Sequence, residues 1–141
     1  MAFAYLILAH LVADFLLQPN SLLRWKYHTW KGVATHALIH FLAYLLLFWP
    51  YRGQLGVVAI VAAIAFSHFW IDVLKIREEK GKNNCFRYFA VDQVVHISIL
   101  ALGGYFLNSM IAKFYGNIYF FGGLILFVAV TYTFEIAKFQ W

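Results

Sequence analysis

Four pairs of side chains in this chain each set one metal-ligating residue four positions from another: His10/Asp14, His36/His40, His68/Asp72 and Asp92/His96. A four-residue step along an α-helix turns a side chain by only about 40°, so both members of a pair share one face, one turn apart. All four pairs lie in strongly apolar sequence, where an ionisable group needs a partner. Neutral imidazoles and ionised carboxylates brought together there meet the requirements of a divalent cation. The chain's three aspartates all lie four residues from a histidine, and five of its six histidines belong to these pairs, leaving only His28 outside. As plain structural glue, the same groups would return only about 1 kcal/mol per hydrogen bond in a membrane. The pairs read as one buried site for two divalent metal ions, with these eight residues as ligands.

Imidazole and carboxylate without sulfur suit zinc, iron, manganese or nickel. The single Cys85 supplies no thiolate cluster and no internal disulfide. A di-iron carboxylate bundle would normally carry glutamates in a Glu-x-x-His pattern, and the first four apolar stretches contain no glutamate. Zinc is favoured, with hydrolytic chemistry; iron or manganese is the alternative.

Ligating imidazoles need a partner for the second ring nitrogen. Gln18 continues the His10/Asp14 face by four residues, and Gln93 adjoins Asp92. Thr35 and Ser67 also adjoin ligands, but ordinary helix hydrogen bonding explains them as well. Lys75, three residues after Asp72, and Glu135, near the end of the last apolar stretch, are the candidate catalytic groups. Lys75 with Arg24, Lys26 and Lys31 forms a basic rim suited to a phosphate-bearing headgroup. Taken singly, each of these cations is equally an ordinary membrane anchor.

The elements that must position these residues follow from hydropathy. The 141 residues are 64% hydrophobic and 12% charged, against about half and about a quarter in soluble domains. A surplus of that size cannot be hidden inside one small domain, so the expected class is an all-α integral membrane protein. Five spans are expected, at about 1–18, 32–49, 55–74, 88–107 and 118–137. Residues 19–31, which mix Arg24, Lys26 and Lys31 with Trp25, Tyr27 and Trp30, form an interfacial linker. The first stretch lacks the basic start and small-residue cleavage site of a signal peptide and reads as a retained span.

The first and third loops and the C-terminal tail hold nine of the 11 lysines and arginines, against Arg52 and Lys113 on the other side. The positive-inside rule then places the N-terminus outside and the C-terminus in the cytoplasm. In that topology all four pairs fall in the cytoplasmic half, in two layers about 6 Å apart. Asp14, His36, Asp72 and Asp92 form the shallow layer; His10, His40, His68 and His96 form the deep one. The net charge of +5 follows this topology, and no aromatic-interleaved basic patch argues for nucleic acid.

The runs AHLVADFLLQ (9–18), HALIH (36–40), SHFWIDVLK (67–75) and VDQVVHISIL (91–100) resemble the signature blocks of a family of small bacterial and phage membrane proteins catalogued as a domain of unknown function. The likeness covers residues 5–105 or so and takes in Gln18, Lys75 and Gln93 as motif members; the fifth span falls outside it. It implies a bacterial inner-membrane location. More distantly, the chain is similar to the LexA-regulated membrane-bound metal-dependent hydrolases, which implies hydrolysis but no substrate.

The expected function is a dinuclear-metal hydrolase acting from the cytoplasmic side on a lipid or a lipid-linked anionic substrate. A membrane di-iron oxidoreductase, a metal or proton transporter, and a bundle whose metal only holds the spans together are the alternatives. A homo-oligomer is compatible with each.

Overall fold

The computed structural model describes residues 2–79 and 85–111, and these are helical, with no strand among them. The fifth expected span and Glu135 lie outside the described residues. Helix α1 (Ala2–Leu11) runs into a π-helical turn (Val12–Leu16), and α2 follows at Asn20–His28. Helices α3 (Trp30–Leu47), α4 (Leu55–Glu79) and α5 (Cys85–Met110) complete the set, with a short 3-10 turn (Trp49–Tyr51) between α3 and α4.

The first apolar stretch is not one α-helix from 1 to 18. Its last turn is widened, with the Leu17 amide donating to the Val12 carbonyl at 2.9 Å. This i→i+5 bond is the mark of a π-turn. Pro19, in extended conformation, then starts α2, and the chain bends by 92° between the two segments. The polar loop expected at 75–87 is also shorter, because α4 continues to Glu79 and α5 begins at Cys85.

Helix α1 packs on α3 and α5, and α4 packs on the same two, so the four close a ring; α2 lies along α3. One end of the ring is filled by Tyr5, Leu6, Tyr44, Phe48, Val61 and Leu107. Two close approaches depend on glycine. A Cβ on Gly104 would meet the Phe3 Cα at 2.9 Å, and one on Gly32 would meet the Trp25 carbonyl carbon and the Lys26 amide at 2.5 Å. Small residues of this kind let helix backbones approach.

Outward faces are apolar. Leu38, Leu42 and Leu46 recur every four residues along α3 and are 54%, 54% and 71% exposed; Phe66, Trp70 and Leu74 do the same on α4. Helices α3, α4 and α5 are long and apolar enough to cross a membrane, and the bent pair of α1 with α2 would make a fourth crossing.

Candidate metal centre

Inside the ring, at the end away from the apolar core, the eight residues of the four pairs converge. His10, His36, His40, His68, Asp72, Asp92 and His96 are buried, and the Asp14 side chain is 12% exposed. The deep histidines form one group: ring centroids are 3.7 Å apart for His40 and His68, 4.2 Å for His68 and His96, and 5.0 Å for His10 and His40.

Asp14 is the hub. Its Oδ1 lies 3.0 Å from His36 Nε2 and 2.9 Å from His40 Nε2, and those two nitrogens are 3.2 Å apart. His68 Nε2 approaches the same oxygen at 4.0 Å, while Oδ2 faces His10 Nε2 at 3.3 Å. Four ligands at zinc bond lengths would stand about 3.3 Å from one another, close to these spacings. The widened turn that carries Asp14 fits a recurrent association of π-turns with functional sites.

Two sets of ligand atoms each gather within 4.8 Å: Asp14, His36, His40 and His68; and His68, Asp72 and His96. His68 belongs to both. His10 and Asp92, also expected as ligands, fall outside these sets. Asp92 is engaged elsewhere: Lys75 Nζ lies 3.0 Å from its Oδ2, and Gln93 Nε2 donates to the same oxygen at 3.4 Å.

Orientation of the rings is compatible with a cation. His96 Nδ1 donates to the Asp92 carbonyl at 2.9 Å, which leaves the lone pair on Nε2. That Nε2 is buried without a hydrogen-bond partner, as are both ring nitrogens of His10 and of His68. The Gln18 side-chain nitrogen lies 3.1 Å from His36 Nδ1 and 3.2 Å from its Nε2. With the amide turned over, its oxygen would accept the Nδ1 proton and free Nε2. Tyr44 Oη stands 3.4 Å from His40 Nδ1 on the far side of that ring.

Charge separates the three aspartates. Asp92 has Lys75. Asp72 has Lys26, whose Nζ lies 2.9 Å from Oδ2 as an ion pair without hydrogen-bond geometry. Asp14 has only histidines around it among the described residues. A buried carboxylate in that position is balanced by hydrogen bonds from imidazole or by a bound cation. The cluster could therefore hold a metal, and the Asp14 set is the place where one is most needed.

Lys26 departs from expectation. The composition of 19–31 suggests a headgroup-facing linker, yet this segment holds helix α2, and Lys26 turns inward and is buried. Gly32 permits the close contact of α2 with α3 that brings it there. Tyr44 was also unmarked, although it continues the step from His36 through His40 by four more residues. Thr35 and Ser67 donate to helix carbonyls at Lys31 and Ala63 and take no part in the site.

A family model described as "Protein of unknown function (DUF3307)" matches residues 2–120, and the chain belongs to that family. No curated protein and no solved structure matches the chain.

Proposed function

We propose that this DUF3307 member is an integral membrane metalloprotein that holds two divalent ions, zinc favoured and iron or manganese the alternatives, and hydrolyses a lipid or lipid-linked anionic substrate from the cytoplasmic side. The observation that carries this reading is the Asp14 hub: one carboxylate oxygen within 3.0 Å of two imidazole nitrogens, with no lysine or arginine among the described residues to balance it. The membrane part is supported by the apolar outward faces of α3 and α4 around a polar interior, the reverse of a soluble bundle. Loop charge supports the orientation, as argued above.

Bound in the two ligand sets, divalent ions would supply Lewis acidity and bring the ionisation of water toward neutral pH. The protein's own contributions are distinct. Asp14 offers one oxygen to each side, with Oδ1 toward His36 and His40 and Oδ2 toward His10. His10 lies outside both ligand sets, with its Nε2 3.3 Å from Asp14 Oδ2. Lys75, the proposed catalytic group, lies with its Nζ 3.0 Å from Asp92 Oδ2. Lys26 and Lys75 each pair with an aspartate of the cluster, Asp72 and Asp92.

The test is turnover. Zinc-loaded protein in detergent, incubated with a bacterial lipid extract, should release a water-soluble product seen by mass spectrometry. Asp14→Asn should abolish release while preserving helical content. Folded, metal-loaded protein with no product from any lipid class would refute hydrolysis.

A further inference from the structure

Between α2 and α4 a cleft of about 280 Å³ opens beside the cluster. Its walls carry Lys26, His28 and Arg77, and no acidic residue among the described ones lines it, Glu79 standing behind the wall as acceptor from Tyr27 Oη at 2.9 Å. Val33, Val73 and Ile76 supply an apolar side, and Trp30, 68% exposed, stands at the rim. Lys26 belongs to both places, since it lines the cleft while its Nζ contacts Asp72. Arg77 and His28 have no hydrogen-bond or ion-pair partner among the described residues. His28 is also the one histidine that the paired pattern leaves unused.

We propose that this cleft is a binding site for a phosphoryl group, with Arg77 and His28 holding its oxygens and the apolar side and Trp30 receiving a hydrocarbon tail. Two nitrogen-bearing groups facing a cleft that no described carboxylate lines suit an anion, and the planar guanidinium suits the fork of a phosphate. An apolar wall directly beside those groups fits an amphiphile better than a free ion. Tryptophan at such a boundary is typical of a membrane interface. Lys26 lines the cleft and contacts Asp72, so that one side chain joins the cleft to the second ligand set. The binding claim stands on the cleft alone; that its occupant is the substrate rests on the hydrolase reading.

Titration calorimetry of the full-length protein in detergent can test this with short-chain phosphatidic acid, diacylglycerol of the same chain length, and inorganic phosphate. Phosphatidic acid is expected to bind at least about tenfold more tightly than diacylglycerol, and Arg77→Gln should weaken it by about tenfold or more. Trp30→Ala should weaken phosphatidic acid and leave inorganic phosphate unchanged, identifying a lipid as the source. Inorganic phosphate binding as tightly as phosphatidic acid would uphold the phosphoryl site and overturn the role given to the tail. Equal binding of phosphatidic acid and diacylglycerol would overturn the site, as would unchanged binding in Arg77→Gln combined with His28→Gln. Metal content and uptake measured on the same samples separate the two readings: selective binding by protein that takes up no metal sinks the metal centre alone, and loaded protein without selectivity sinks the cleft alone.

Discussion

The Lys26 ammonium lies 2.9 Å from Asp72 Oδ2, with the two side chains 8% and 2% exposed. A buried pair broken on one side leaves an uncompensated charge, typically at a cost of about 3–5 kcal/mol. Lys26→Met should therefore destabilise metal-free protein by that order, read as a lower unfolding midpoint in detergent. The same change removes a competitor for Asp72 at the second ligand set. Added zinc should then restore much of the lost stability, and the second equivalent should bind more tightly than in wild type. An equal loss with and without metal would show that Lys26 and a cation do not compete there.

Gly32 governs the same contact from a distance. A Cβ at this position would press on the Trp25 and Lys26 backbone at 2.5 Å, and overpacking of this kind costs about 1–3 kcal/mol. Gly32→Ala should push α2 off α3 and withdraw Lys26 from Asp72. Combined with Lys26→Met, it should cost clearly less than the sum of the two single changes. Strict additivity would separate the glycine from the ion pair.

Gln18 and Tyr44 touch the second ring nitrogens of His36 and His40, at 3.1 Å and 3.4 Å. Loss of such an orienting partner typically lowers metal affinity about 10–100-fold. Gln18→Leu should fall in that range in a chelator competition, and Tyr44→Phe, losing the longer contact, should change less. The reverse order would assign the orienting role to Tyr44.

Much of the site is legible from spacing because the geometry of a helix is fixed. The steps 36–40 and 68–72 put His36, His40, His68 and Asp72 on inward faces, and the structure brings all four into the two ligand sets. What spacing does not carry is set by packing. A four-residue step presumes 3.6 residues per turn, so it does not show the widened turn at Val12–Leu16. Lys26, among Trp25, Tyr27 and Trp30, has the composition of an interfacial anchor; only the bend after Pro19 and the bare Gly32 surface turn it inward. Asp92 shows the same limit, since its pairing with Lys75 joins two helices and leaves no mark in either sequence run.

His68 separates the dinuclear account from a single site, because it is the one residue shared by both ligand sets. Elemental analysis of detergent-purified protein, wild type beside His68→Ala and His10→Ala, decides between them. Two bound ions should give about two equivalents of a divalent metal per wild-type chain, loss of both in His68→Ala, and retention of both in His10→Ala. Folded wild-type protein that carries no metal after purification and takes up none on titration would contradict the metal centre.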